Sequence, residues 1–282
     1  MLSGSQRVAV TVVALVGTAF AADPVHKQFQ FRVHRRACVS ILNQYGPISV
    51  KPASGHQVTV NAILHSDKVE VEQSQRGNRI AILSRLLTGA DPETGQVEYE
   101  VTLPADASVT MTSATGPLHA EGLRGDVVLE GNTGRVDVRD LSEGHVHVKT
   151  LDGPVTVTNV NDGHVEITSV SGLVVLKAVW GPLVQVNSNR GNIAYDGDFG
   201  GGGQYVLVTN TGDIEAIAPA YASIEVVAKS VQGKVENDFP LQPAHSSIAE
   251  RAGSAFAGTL GKAASSVKLL SFSGRIHLKK RR

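Results

Sequence analysis

The sequence predicts an all-β protein: a single-stranded β-solenoid, or parallel β-helix, with a coil of about 19 residues and an N-terminal β cap. Three observations predict this fold. Glycine is frequent, at 29 of 282 residues, whereas aromatic residues make up only 5%. Glycines recur every nine or ten positions over 116–191. Apolar side chains stand two and four positions after nearly every one of them, and this alternation is typical of short strands with one buried face.

The recurring glycines are predicted to be structural turn residues. Asn, Ser, Thr or Asp commonly precedes the glycine within two positions, which favours a turn with positive φ that glycine adopts without steric cost. A meander of hairpins has loops of similar length, but the constant period and phase favour stacked coils. Val136, Val146, Val155 and Val165 should then point inward and stack on equivalents one coil away. The turn glycines are Gly116, Gly125, Gly134, Gly144, Gly153, Gly163, Gly172, Gly181 and Gly191.

A secretory signal peptide is predicted over 1–22. Arg7 supplies the positive charge, positions 8–19 are uncharged and mostly apolar, and Ala19-Phe20-Ala21 matches an A-x-A cleavage pattern. This apolar run is shorter than the roughly 20 residues of a membrane span. We therefore expect an exported protein without a transmembrane span after cleavage, located in the periplasm, outside the cell or at its surface.

The remaining chain, 23–282, is predicted to be a single solenoid domain. A bare end coil would expose the core and an unpaired strand edge, so a cap is expected. The cap argues against self-polymerisation and favours a monomer. The predicted segments are 28–105 for the N-terminal cap strands, 106–238 for the regular coils, 239–266 for a loop excursion and 267–278 for a final strand.

A series of short motifs resembles one protein family. The segments YGPISV at 45–50, QVTV at 57–60, YEVTLP at 99–104, NDFP at 237–240 and SGRIHL at 273–278 follow one another in this order. With them the chain resembles the bacterial putative-adhesin β-strand-repeat family, an extracytoplasmic domain of unknown function, over roughly 28–278. The resemblance implies a β-helical fold outside the cytoplasm. It supplies no catalytic or ligand-binding residue.

Charge and motif content exclude several functions. The 26 basic and 26 acidic residues cancel, which is atypical of a general nucleic-acid binder. The sequence contains no nucleophile elbow, phosphate loop, H-E-x-x-H motif or calcium-binding glycine-aspartate nonapeptide. We therefore expect no cofactor and no nucleic-acid partner.

Three histidines and a glutamate are the candidate metal ligands. The coil period places His145 beside His164, and His147 beside Glu166. Stacked imidazoles near a carboxylate are a donor set for Zn²⁺ or Cu²⁺. The alternative is a solvated polar strand face, and with only two rungs of histidine we expect no metal. The same pairs would form a pH-sensitive patch.

Charged residues elsewhere are expected to be solvated. Asp137 stacks on His119 and Thr156 and thus meets no second carboxylate, so its rung (Arg135, Asp137, Arg139 and Asp140) is predicted to be self-paired. The basic residues 279–282 are predicted to form a solubilising tail, or alternatively to touch anionic lipid or a cell-wall polymer. The predicted outward rows are Asp126, His145, His164 and Pro182; Val128, His147, Glu166 and Val184; and Pro117, Arg135, Pro154, Leu173 and Asn192.

The only cysteine is Cys38, so no internal disulfide forms. Its apolar setting, residues 37–42, predicts a small buried hydrophobic residue rather than a reactive thiol.

These observations predict a non-enzymatic envelope or surface protein, an adhesin or binding scaffold that presents ladders of side chains on a rigid solenoid. Its expected partner is an envelope polysaccharide or another surface protein. The alternative is a carbohydrate-active β-helix enzyme that acts on polysaccharide.

Overall fold

A computed structural model describes residues 24–243 and 254–281, which contain 25 strands and no helix. The predicted signal peptide, part of the predicted excursion and Arg282 lie outside these residues. Among the described residues there is also no helix that would cross a membrane.

Two large sheets form the solenoid. The first sheet holds twelve strands in the spatial order β1-β4-β7-β3-β9-β11-β13-β15-β17-β19-β25-β21. These are β1 (Val25–Arg32), β4 (Gln57–Leu64), β7 (Val97–Pro104), β3 (Ile48–Ala53), β9 (Leu118–Glu121), β11 (Val136–Ser142), β13 (Val155–Asn161), β15 (Val174–Trp180), β17 (Ile193–Asp196), β19 (Ile214–Ala218), β25 (Ile276–Lys280) and β21 (Val235–Asn237).

The second sheet holds thirteen strands in the order β22-β23-β20-β24-β18-β16-β14-β12-β10-β8-β2-β6-β5. These are β22 (Gln242–Pro243), β23 (Ala255–Leu260), β20 (Ile224–Ser230), β24 (Ser265–Ser271), β18 (Gln204–Thr209), β16 (Leu183–Ser188), β14 (His164–Ser169), β12 (His145–Thr150), β10 (Val127–Gly131), β8 (Ser108–Ser113), β2 (Cys38–Asn43), β6 (Arg79–Leu86) and β5 (Val69–Arg76).

The strand register confirms the predicted solenoid. Val136 pairs with Val155 in the first sheet and Val146 with Val165 in the second, in parallel strands that are one coil apart. All four side chains are buried. Each coil contributes one strand to each sheet, and the apolar side chains of both sheets fill the space between them. The core is therefore a stack of similar layers rather than a single cluster around one centre.

The turn glycines lie at the predicted turns, but the predicted reason for them is wrong. None of the nine adopts a positive φ; that conformation falls instead on residues such as Glu143 and Asp162, each directly before a glycine. The glycines are needed because successive coils approach closely. A Cβ on Gly153 would lie 2.1 Å from the carbonyl oxygen of Gly134, a distance that no real Cβ contact allows.

A column of buried hydroxyl groups holds these turns together. Ser113 Oγ accepts a hydrogen bond from the Gly116 N–H at 3.0 Å and donates to the Gly46 carbonyl of the neighbouring coil at 3.2 Å. Because the hydroxyl serves both groups, each turn is tied to its own coil and to the next one. The sequence signal is Ser/Thr-x-x-Gly, and the buried members are Ser113, Thr150, Ser169, Ser188, Thr209, Ser230 and Ser271.

Chain order and spatial order differ at the N-terminal end. The coil β6–β7 stacks in parallel outside the earlier coil β2–β3. Beyond it, β5 pairs antiparallel with β6, β4 pairs antiparallel with β7, and β1 covers β4. The predicted cap region thus supplies two solenoid coils and three antiparallel covering strands, which continue the same two sheets.

The C-terminal end corrects the predicted final strand. Residues 267–278 are not one strand, because the turn at Gly274 divides them between β24 and β25, which together form a complete coil. This coil lies between β18–β19 and β20–β21, so the last coil in the chain is the second to last in space. The excursion before it includes β23, which covers β20 in antiparallel register.

An aromatic cluster fills the core beside the glycine-rich turn at 200–203. Phe199 is fully buried and stacks on Tyr195, with ring centroids 4.4 Å apart, while Tyr205 meets both rings edge-on. Burial raises the pKa of Tyr205 to about 12. These rings fill the core where the regular coil spacing is interrupted.

Candidate functional site

The histidine ladder lies on the outer face of the second sheet. His145 in β12 and His164 in β14 are paired in register, and their rings stack with centroids 4.6 Å apart and planes 11° apart. The backbone N–H of His145 donates to Asp126 Oδ1 at 3.1 Å. Three adjacent coils thus present a carboxylate and two imidazoles in a line.

The second predicted pair also forms. His147 Nδ1 lies 3.4 Å from Glu166 Oε2, and both side chains stand on the outer face. Among residues 24–243 and 254–281, however, no three His, Cys, Asp or Glu side chains converge to hold a metal ion. His145 with His164, and His147 with Glu166, are therefore two side-by-side pairs rather than one donor set.

The predicted outward rows shift by one position at the next coil. His164 pairs with Leu183 rather than Pro182, and Glu166 pairs with Gln185. Val184 is fully buried. Gly181 follows Gly163 after 18 positions rather than 19, so positions counted from Gly181 assign the inward and outward residues of β16 the wrong way round. In the structure, β16 pairs so that its valines remain buried.

A charged network on the outer face of the first sheet is denser than the sequence predicts. Asp137 binds the Arg139 guanidinium at 2.7 Å, as the self-paired rung predicts, and also lies 3.4 Å from His119 Nδ1. His119 Nε2 lies 2.9 Å from Glu121, which also binds Lys51 at 3.1 Å. The hydrogen bonds from His119 and Lys51 lower the pKa of the Glu121 carboxyl.

The rest of the predicted charged rung behaves differently. Asp140 accepts a hydrogen bond from the amide of Asn159 in the next coil at 2.5 Å, and Arg135 is exposed. The self-pairing that the sequence predicts is therefore limited to Asp137 and Arg139.

One row of this face brings together a hydroxyl, an imidazole and a carboxylate. Ser49, His119 and Asp137 occupy equivalent positions on neighbouring strands. Both ring nitrogens of His119 already face carboxylates, Asp137 on one side and Glu121 on the other. Because a general base needs a free lone pair aimed at the nucleophile, this arrangement gives Ser49 no base.

Cys38 is exposed, which corrects the prediction that it is buried. Its neighbours Ala37 and Val39 are buried, as is Ile41. The period-two alternation of the strand turns Cys38 outward together with Ser40.

The predicted C-terminal tail is largely part of the fold. Lys279 and Lys280 belong to β25, and Lys279 lies 3.8 Å from Glu215. Arg281 pairs with Asp196, with its Nε 3.1 Å from the carboxylate. Neighbouring Asp238 accepts hydrogen bonds from His277 and from the Lys280 N–H, which lower its carboxyl pKa.

A polar groove at the N-terminal corner was not expected from the sequence. It measures about 950 Å³ and is lined by turns that are far apart in the chain, including residues 35–36, 104–106 and 124–126. The Arg35-Arg36 pair was the only sequence signal, and its partners become apparent only once the coils are stacked.

Two solved structures resemble this chain. One is a putative cell adhesion protein from Clostridium sporogenes ATCC 15579, with 12% identity, a TM-score of 0.30, and coverage of 92% of this chain and all of that one. The other is a putative adhesin from Bacteroides fragilis NCTC 9343, with 12% identity, a TM-score of 0.49, and coverage of 91% and 97%. A comparison with curated proteins found no match.

A family match covers most of the chain. The Toastrack DUF4097 family matches residues 39–279, from the second strand to the last one. The matched range includes the parallel coils, the turn glycines and the histidine ladder described above. The chain therefore belongs to the Toastrack DUF4097 family.

Proposed function

We propose that this protein is an exported, non-enzymatic binding scaffold of the cell envelope or surface, whose coils present repeated side chains to a polymeric ligand. The observation that carries the proposal is the His145–His164 stack, in which the same side chain recurs at the same position in adjacent coils. A ligand with its own repeat can bind several such rungs at once, and the contacts add through multivalency.

The outer faces support binding rather than catalysis. The histidine ladder lies on an open sheet face, and the His119 network neutralises its own charges. Neither arrangement places a free base beside a nucleophile, as acid–base or covalent catalysis requires. The sequence features of a signal peptide support export, and the expected ligand is an envelope polysaccharide or another surface protein.

A glycan array with the purified protein tests the proposed function. The array is probed with wild type and with the triple variant His145→Asn, His147→Asn and His164→Asn. Binding is measured at about pH 5 and about pH 8, the range over which histidine side chains usually change charge. We expect the variant to fold normally, to bind more weakly and to lose the pH dependence of wild-type binding. The matched control carries Thr156→Asn, Thr158→Asn and Val175→Asn on the opposite sheet and should bind like wild type.

Two results would contradict the proposal. One is turnover of a polysaccharide by the purified protein that a single surface substitution abolishes, which would favour the enzyme alternative. The other is an intact Met1 on protein recovered from the cytosol, because the exported chain should begin near Ala22 or Asp23.

A further inference from the structure

The groove at the N-terminal corner is built by turns that are joined by hydrogen bonds from backbone N–H groups. The Arg36 N–H donates to Asp106 Oδ2 at 3.3 Å, and the Arg124 N–H donates to the Ala105 carbonyl at 2.6 Å. These bonds join the β1–β2, β7–β8 and β9–β10 turns around a space of about 950 Å³. Because the backbone fixes the walls, the groove exists before any ligand binds.

Three arginines line this groove with side chains that have no partner among the described residues. Arg35, Arg36 and Arg124 are exposed, and within the described part of the chain their guanidinium groups form no ion pair or hydrogen bond. By contrast, Arg85, Arg139 and Arg281 each bind a carboxylate. The three groove arginines therefore retain all their donors for an external ligand, and a guanidinium fork suits a carboxylate or another planar anion.

Three acidic residues, Asp106, Asp126 and Glu143, share the groove with these arginines. Asp106 and Asp126 each use a carboxylate oxygen to accept a backbone N–H, from Arg36 and His145 respectively, which orients them in the walls. Their remaining oxygens and the exposed Glu143 are acceptors for ligand hydroxyl groups. The groove thus contains both anion-binding donors and hydroxyl-binding acceptors.

Two lining residues adopt an unusual backbone conformation. Arg36 has φ 55° and Glu143 has φ 65°, in the left-handed region that residues with a side chain rarely occupy. Both residues line the groove.

We propose that this groove binds an acidic polysaccharide whose carboxylate groups alternate with free hydroxyls, as in a chain of uronic acids. Arg35, Arg36 and Arg124 bind the carboxylates, while the acidic side chains accept hydrogen bonds from the sugar hydroxyls. This inference rests on the proposed scaffold function and gives it a ligand class. Asp126 borders both the groove and the histidine ladder, so a longer chain would continue from the groove onto His145.

The charge balance of the groove favours this ligand over other polyanions. The three groove carboxylates remove the net excess of positive charge on which affinity for nucleic acid or polyphosphate depends, whereas a uronic acid chain also offers hydroxyl groups to those carboxylates. A bilayer surface fits less well, because the site is concave and mostly polar and offers no large apolar side chain for insertion.

The test is a calorimetric titration of the purified full chain with polygalacturonate oligomers, at about 0.15 M ionic strength to screen non-specific attraction. The groove variant carries Arg35→Gln, Arg36→Gln and Arg124→Gln. The matched control carries Arg135→Gln, Arg190→Gln and Arg275→Gln, three exposed arginines outside the groove with the same change in net charge. Thermal unfolding monitored by circular dichroism verifies that both variants are folded.

We expect wild type and control to bind within about twofold of each other, and the groove variant to bind at least about tenfold more weakly, as for the loss of one or more charge-assisted hydrogen bonds. Neutral dextran should not bind. Equal losses in both variants would overturn the groove as the site. Tighter binding of polyphosphate or of anionic vesicles than of polygalacturonate, or no binding by wild type, would overturn the ligand class.

The two proposals fail in different ways. If the groove variant retains full polygalacturonate affinity while the histidine variant loses its array signal, the scaffold function stands and the groove assignment is wrong. If the groove variant loses affinity while the histidine variant matches wild type, the groove assignment stands and the ladder has no binding role.

Discussion

Gly134 lies directly against Gly116 of the preceding coil, so closely that a Cβ on Gly134 would fall 2.1 Å from the Gly116 carbonyl oxygen. The neighbouring turn repeats the contact, with Gly153 against Gly134. The obstacle is backbone in each case, which cannot rotate away as a side chain does. The coil spacing of the solenoid therefore depends on the absence of a side chain at these turns.

We expect Gly134→Ala to lower the free energy of unfolding by about 1–3 kcal/mol, the usual cost of forcing extra atoms into a packed site. Urea unfolding measures the change. The control is Gly201→Ala, where a Cβ meets nothing within 4 Å and the φ is not left-handed. Equal stability of Gly134→Ala and wild type would show that the coils separate at little cost.

Gly131→Ser should stabilise the protein by about 1 kcal/mol, because the added hydroxyl would bond as Ser113 does and the substitution also reduces the entropy of the unfolded chain. Gly131 occupies the hydroxyl-column position of its coil, three positions before Gly134, and is the coil's exception to the Ser/Thr pattern. A Cβ there has only ordinary contacts, the nearest at 3.7 Å. The variant Gly131→Ala separates the hydrogen bond from the entropy effect, because alanine reduces the entropy of the unfolded chain but adds no hydroxyl. We expect the free energy of unfolding to be higher for Gly131→Ser than for Gly131→Ala.

Val155→Asp should cost about 3–5 kcal/mol, because it buries an unpaired carboxylate between two valine layers. Val155 is fully buried and stacks between Val136 and Val174. The control on the same strand is Thr158→Asp, whose outward side chain lies between Arg139 and Lys177. Calorimetric unfolding should distinguish them clearly, and similar melting temperatures would contradict the inward orientation of Val155.

Alkaline pH should destabilise the fold partly through Tyr99. Burial raises its pKa to about 12, above the ordinary value of about 10. The folded state therefore retains the Tyr99 hydroxyl proton to higher pH than the unfolded state does. The stability that this difference contributes is complete below about pH 10 and is lost as the pH rises towards 12, at up to about 1.4 kcal/mol per pH unit. Urea unfolding near pH 9 and pH 11.5 should show a smaller loss for Tyr99→Phe than for wild type.

The Tyr99→Phe variant should start from lower stability at neutral pH. Phenylalanine leaves the Ser84 hydroxyl, which lies 2.7 Å from the Tyr99 hydroxyl, without this partner. The comparison is therefore between the losses on raising the pH, not between the absolute stabilities. An equal loss in both proteins would contradict a role for Tyr99.

Cys38 should react with a disulfide reagent in the native protein, at one thiol per chain, because its side chain is exposed. The absorbance of the released thiolate measures the stoichiometry, and Cys38→Ser gives the background. Reaction only after addition of denaturant would mean that the thiol is buried after all.

The sequence predicts the repeating part of this fold well because each coil carries the same physical constraints. Alternation around Val136 and Val155 sets the inward face, and the constant coil period sets the register that joins His145 to His164. The alternation also turns Cys38 outward, between buried Ala37 and Val39, although its apolar setting suggested burial. Residue type was misleading there, whereas periodicity was not.

The order of the end coils and the arginine groove were beyond prediction for a common reason. Every coil presents similar inward side chains and a similar turn, so β24–β25 would fit against many partners, and nothing local marks its place between β18–β19 and β20–β21. Arg36 and Arg124 are likewise brought together only by that stacking. Their meeting depends on tertiary order that local patterns do not encode.

The inserted β24–β25 coil has a consequence for synthesis. During translation, β20 emerges before β24, yet its parallel neighbour in the finished protein is β24. The downstream end of the stack therefore cannot close until residues 265–280 have left the ribosome. Until then, β18 and β20 in one sheet, and β19 and β21 in the other, each have an open hydrogen-bonding edge. A chain that lacks these residues would display four unpaired edges, and unpaired strand edges promote aggregation.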